Sequence, residues 1–139
     1  MWFQKKINIK KKTRGFHLIT GEIINEIPEI NKIISGLFHL FILHTSASIA
    51  INENTDKTVR EDLESFFNKI VPENESYFKH VYEGQDDMPS HIKSSLLGSS
   101  ISIPITNGKL HLGTWQGIYL CEHRDKGSSR SLIITIHGE

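Results

Sequence analysis

Leu37-Phe-His-Leu-Phe-Ile-Leu43 carries apolar side chains on both parities of an extended chain. Alternate residues of a strand point to opposite faces, so such a run predicts a strand covered on both sides. Ser46 to Asn52 alternates and predicts a continuing or second strand. Thr55 to Ile70 is the clearest helix. Val59, Leu63, Phe66, Phe67 and Ile70 form one stripe, Asn54 or Thr55 can cap its start, and Pro72 stops it. Upstream, Glu22 to Ser35 spaces its isoleucines at threes and fours, with Pro28 dividing the helix and Gly36 ending it. Phe16 to Thr20 predicts a strand. So does the amino-terminus, where Phe3, Ile7 and Ile9 alternate with polar residues.

Downstream, Glu73 to Met88 shows no periodicity, and a long irregular loop inside a compact domain is usually functional or disordered. Pro89 to Leu97 predicts a short helix, with Asp87 as cap and Gly98 at its end. Ser100 to Ile105 is a strand, Asn107-Gly108 a hairpin turn, and Lys109 to Glu122 a long returning strand. Gly113 and Gly117 mark a bulge or a close backbone approach there. Arg124 to Ser129 turns the chain into a last strand, Arg130 to His137. Six to eight strands joined mostly by turns, with two or three inserted helices, predict an α+β fold. Its frame is an antiparallel β-sandwich with helices on one side, in a single domain spanning residues 1–139.

The 139 residues hold 16 Lys+Arg, 16 Asp+Glu, eight His and one Cys. Zero net charge argues against a general nucleic-acid sleeve. No apolar run is long enough to span a membrane, the amino-terminus lacks a signal peptide's apolar stretch, and one cysteine suits a reducing compartment. A cytoplasmic location is expected. The neutrality is a cancellation: residues 1–14 hold six cations and no acid. They form either a lysine-defended edge strand, the simpler expectation, or an anion-binding arm.

With a single cysteine, any metal site must be built from histidine and carboxylate. His44 ends the apolar strand, and Asn52, Glu53, Asn54 and Asp56 crowd the entry to the long helix. Asn54 and Asp56 have capping work to do, whereas Glu53 is a better functional candidate. The loop from His80 to His91 gathers two histidines, Glu83, Asp86 and Asp87. Imidazole with carboxylate suits a transition metal, although this spacing matches no zinc signature and Asp87 has an alternative duty as a cap. Gly113-Thr-Trp-Gln-Gly117 offers Trp115 for stacking on a flat ring or filling the core, and Gln116 beside space for a ligand. Arg124 and Arg130 bracket a Gly-Ser-Ser turn and form either a phosphate cradle or a solvated tip. Ser46 and Ser48 supply hydrogen bonds. Cys121, in a strand with no neighbouring base, is a structural thiol.

Several blocks occur together: Arg14-Gly-Phe-His-Leu-Ile-Thr20, His44-Thr-Ser-Ala-Ser48 with Asn52-Glu-Asn54, and Tyr82-Glu-Gly-Gln-Asp-Asp-Met-Pro-Ser-His91. Gly113-Thr-Trp-Gln-Gly117, Glu122-His-Arg124 and His137-Gly-Glu139 complete the set. In this order they resemble the YjbQ family, often labelled secondary thiamine-phosphate synthase, over essentially the whole chain. The resemblance implies a helix-decorated β-sandwich assembled as a homotrimer. Its recurrent polar positions fall on His44, Asn52, Glu53, Asp62, His80, His91, Gln116, Glu122 and Arg130. It implies a metal or phosphate site around His44, His80 and His91, with Asp87 as a further ligand and zinc or magnesium as the ion. Val81 stands where relatives carry an acid, which Asp86 or Asp87 would replace.

Glu53, Asn52, Gln116 and Glu122 are then the catalytic candidates. Ser46, Trp115, Arg124 and Arg130 are candidates for binding a small phosphorylated metabolite. Thiamine-phosphate formation expels pyrophosphate, so it needs cations for the departing charge and a surface for two flat rings. Trp115, the two arginines and a divalent metal would supply them. The alternative is a non-catalytic binder of a phosphorylated metabolite.

Overall fold

A computed structural model describes all 139 residues. In chain order the elements are β1 (Trp2–Ile9), β2 (Gly15–Leu18), α1 (Thr20–Asn25), a 3-10 turn (Pro28–Lys32), β3 (Ser35–Ile42) and β4 (Ala47–Glu53). They continue with α2 (Lys57–Ile70), α3 (Asp87–Leu97), β5 (Ser100–Thr106), β6 (Lys109–Leu110), β7 (Gln116–Glu122) and β8 (Arg130–Gly138). The strands form a five-stranded sheet in the order β1-β8-β3-β5-β6 and a three-stranded sheet in the order β2-β7-β4. Every pairing is antiparallel.

The two sheets face each other across a core of 19 buried side chains, isoleucine-rich, to which β1, β3, β4, β5, β7 and β8 all contribute. Ile23, Ile27, Ile30 and Ile33 seal one edge of it. Their helical spacing survives Pro28 because the chain restarts there as a 3-10 turn. α2 and α3 lie outside the three-stranded sheet, over a smaller cluster of Phe16, Tyr119 and Cys121 that receives Leu63, Phe67 and Leu97. Burial pushes the Cys121 thiol up to about 12, as suits a structural cysteine.

Five expectations change. The Leu37–Leu43 run is covered on one face only. Phe38, Leu40 and Ile42 are buried, while Leu37 is 48%, Phe41 39% and Leu43 44% exposed, because no helix backs the outer face of the five-stranded sheet. Gly36 does not end a helix. It sits in β3, paired with Gly138, where a Cβ would collide with the His137 carbonyl oxygen. Lys109 to Glu122 is not one strand: β6 and β7 belong to different sheets, and residues 111–115 cross between them. Asp87 does not cap α3. It is the helix's first residue, buried, with Asp86 before it. α2 is capped by Asp56, whose side chain accepts the Thr58 N–H at 2.9 Å.

Candidate metal centre

Asp87 and His91 open α3, one turn apart, so their side chains share a face. His80 comes from the long loop. The His80 Nε2 lies 2.7 Å, and the His91 Nε2 3.2 Å, from the same Asp87 oxygen, Oδ2. One ligand atom from each of the three residues lies within 4.8 Å of the others. Two ligands of a tetrahedral zinc ion with bonds near 2.0–2.1 Å stand about 3.3 Å apart, so small side-chain shifts would bring all three onto one ion.

The surroundings fix the protons. His91 Nδ1 faces the Thr45 carbonyl oxygen at 2.9 Å. A carbonyl only accepts, so Nδ1 donates and Nε2 is the atom left to face Asp87. The other Asp87 oxygen, Oδ1, accepts Arg124 Nη1 at 2.7 Å. One carboxylate oxygen therefore meets two ring nitrogens, and the His91 Nε2 can approach it only with a second ring proton or a metal ion between them. Two imidazoles and one carboxylate fit zinc or another transition metal, and not magnesium, which prefers oxygen ligands.

Arg124 fastens this corner. Its Nε donates to Asp86 Oδ2 at 2.8 Å and its Nη2 to the Glu83 carbonyl at 2.8 Å, tying the loop to the end of β7. Burial opposes ionisation of Asp86, but Arg124 and the Asp125 amide outweigh it and hold the carboxyl below its ordinary value.

The phosphate cradle expected from Arg124 and Arg130 is not formed. Arg124 is engaged as described, and Arg130 is buried against Glu122, its Nε donating to Oε1 at 2.8 Å. Both guanidiniums are ion-paired to carboxylates inside the fold, Arg124 using three of its donors and Arg130 two. Glu122 is wholly buried, accepts Arg130 through both carboxylate oxygens, and is roofed by Gly127, so the catalytic role expected of it has no opening to solvent. His44 does not join the metal corner. Its Nε2 accepts the Ser131 N–H at 2.8 Å, and burial, aided by Arg130, holds it below the usual imidazole value. Ser46 lies half-buried in the turn between β3 and β4.

The remaining candidates lie at the other end of the small sheet. Register pairs Ala47 with Glu122 at one end and Glu53 with Gln116 at the other, six steps away, or about 20 Å. There Asn52 Oδ1 accepts the Glu53 N–H, Glu53 Oε2 accepts the Asp56 N–H, and Gln116 Oε1 accepts the Gly113 N–H. Glu53 thus has the turn-holding duty that its sequence position seemed to lack. Trp115 is 63% exposed and fills no core.

A buried polar layer beneath α3 left little trace in the sequence. Lys93 is buried, donates to Asn68 Oδ1 at 2.6 Å, and is held below the ordinary lysine value by burial and by Arg14. His123 is buried with its Nε2 2.8 Å from Ser48 Oγ and no partner at Nδ1. The one available signal was the spacing of Asp87, Ser90 and Lys93 by threes on a helix face, all three of which are buried.

A family model described as UPF0047 protein YjbQ-like matches residues 5–139. The chain is 53% identical to UPF0047 protein YjbQ of Escherichia coli O157:H7 over 139 residues, the full length of both. It is 36% identical to UPF0047 protein YugU of Bacillus subtilis, over 96% of this chain and 98% of that one. Among solved structures, an uncharacterized conserved protein of this family from Clostridium acetobutylicum superposes with a TM-score of 0.84 at 38% identity, covering 96% of this chain and 99% of that one. A hypothetical protein from Aeropyrum pernix K1 gives a TM-score of 0.86 at 25% identity, with 99% of each chain covered. With a matching family model and full-length relatives more than half identical, the chain belongs to the YjbQ/UPF0047 family.

Proposed function

We propose that the protein is a metal-dependent enzyme whose ion is held by His80, Asp87 and His91. The observation that carries this is the corner itself: two histidine Nε2 atoms converge on one Asp87 oxygen while the Thr45 carbonyl orients one ring and Arg124 orients the carboxylate. Three protein ligands with a further position open are the pattern of catalytic rather than structural zinc, and such an ion supplies Lewis acidity and acidifies water. Arg124 and the Thr45 carbonyl keep the three ligands in register, the outer-shell support that metal ligands generally need.

Thiamine-phosphate synthesis, the label attached to the family, is placed here as a side activity. Arg124 and Arg130 are each paired with carboxylates of the fold, which offsets the positive charge that pyrophosphate would need. The same pairing weakens the non-catalytic phosphometabolite binder. A homotrimer is proposed as the working assembly, supported by the apolar residues Leu37, Phe41 and Leu43 on the helix-free sheet face.

Zinc titration against a competing chromophoric chelator tests the metal site. Wild type should bind near one equivalent, and Asp87→Asn and His91→Ala should each lose affinity by about a hundredfold or more. Unchanged zinc affinity in both variants overturns the proposal. The side activity fails separately, if pure wild type forms no more thiamine phosphate than His91→Ala.

A further inference from the structure

Beside the metal corner is a second feature, which shares only Thr45 with the proposed site. A cavity of about 260 Å³ is lined by His44, Thr45, Ser94, Ser95, Gly98 and Ser99, with no apolar side chain among them. It is joined to the corner twice. The Thr45 carbonyl that lines it orients His91, and Ser95 lies one helical turn beyond His91 on α3.

The electrostatics of the cavity select its ligand. It sits at the carboxyl end of α3, whose last residues are followed by Gly98 as C-cap. That end carries the negative pole of the helix and repels anions. No lysine or arginine lines the cavity, and Arg130 and Lys6, whose charges reach His44, lie outside its lining, with Arg130 paired to Glu122. Its histidine is the neutral tautomer: Nε2 accepts the Ser131 N–H, so the proton is on Nδ1, which is left as a donor. Ser94 Oγ is taken by the Ala47 carbonyl at 2.7 Å, while Thr45, Ser95 and Ser99 present exposed hydroxyls. Hydroxyls both give and accept hydrogen bonds, as do those of a polyol.

We infer that this cavity is the substrate subsite of the metal centre, and that it takes a neutral, hydroxyl-rich group of monosaccharide size rather than a phosphate. The assignment rests on the metal function proposed above and adds the class of substrate to it. The substrate would lay its hydroxyls along Thr45, Ser95 and Ser99 and accept from His44 Nδ1, with its reacting atom towards His91 and Asp87.

Amide NMR titrations of the full chain, without metal and with zinc, test it. The probes are glycerol, D-ribose, methyl β-D-glucopyranoside and inorganic phosphate. At least one polyol should saturably shift residues 44–45 and 94–99, more tightly with zinc, and phosphate should not. The Ser95→Ala/Ser99→Ala double variant removes two exposed hydroxyls and should weaken the polyol about fivefold or more while leaving zinc affinity unchanged. Saturation by phosphate alone, shifts by no probe, or polyol binding indifferent to zinc each overturns the assignment. Failure of zinc to bind shows in the metal titration itself, so it identifies the metal function as the part that failed.

Discussion

Arg124 decides whether the three proposed ligands stay together, although it is not one of them. It holds Asp87 Oδ1, Asp86 Oδ2 and the Glu83 carbonyl at once, and so fixes both the loop bearing His80 and the free oxygen of Asp87. Arg124→Ala should weaken zinc binding by about 10–100-fold. Arg124→Lys should not restore it, because a single ammonium cannot reproduce three directed bonds. Chelator competition measures both, and an affinity within a few-fold of wild type for Arg124→Ala would contradict the role. At this scale the sequence named the residues of the proposed metal corner more readily than their arrangement. His80, Asp87 and His91 stood out by type. With Asp87 read as a cap rather than as the first helical residue, its one-turn spacing from His91 was hidden. The engagement of Arg124 and Arg130 was invisible for a different reason. Arg124 reaches its acids 37 and 38 residues away, and Arg130 is buried on Glu122, so two guanidiniums that read as anion binders are internal fasteners.

Among the elements, β3 was the one on which the fold turned, and half of its pattern had another cause. The run from Leu37 to Leu43 does specify a strand, and its even positions enter the core. Three of its odd positions, Leu37, Phe41 and Leu43, are apolar without a covering layer in this chain. Local pattern cannot distinguish burial inside a chain from burial between chains, because both favour the same side chains. Gly36 was legible as punctuation but not as packing. The β3 and β8 backbones approach so closely that a Gly36 Cβ would stand 2.9 Å from the Gly138 Cα. Gly36→Ala should therefore cost about 1–3 kcal/mol through overpacking. Urea unfolding measures it, and a loss below about 0.5 kcal/mol would show that the two strands can separate freely.

For the whole molecule, acid should be the weak point. His123 is buried, and burial together with nearby Lys93 and Arg14 lowers it to about 3, whereas an unfolded histidine titrates near 6.5. Because the folded value is depressed, its neutral form supports the fold above pH 6.5. Below that the unfolded chain gains the proton first, and stability falls until the folded histidine also titrates near 3. One such group contributes up to about 1.4 kcal/mol per pH unit in that window. Asp86, also depressed, adds a loss of the same sign at lower pH. Urea midpoints should fall steadily from pH 6.5 to 4.5, and His123→Leu should flatten the slope; an unaltered slope would remove His123 as the cause.

The helix-free sheet face makes assembly a property of the same scale. Light scattering should give a trimer for wild type and smaller species for Phe41→Glu, whereas a wild-type monomer would leave that face without its proposed partner. The central claim, that His80, Asp87 and His91 hold a metal ion, is tested most directly by elemental analysis of protein purified without an affinity tag. The account predicts near one transition-metal ion per chain, most of it lost in His91→Ala. Metal content undiminished in that variant, or no metal even after equilibration with zinc, would contradict it.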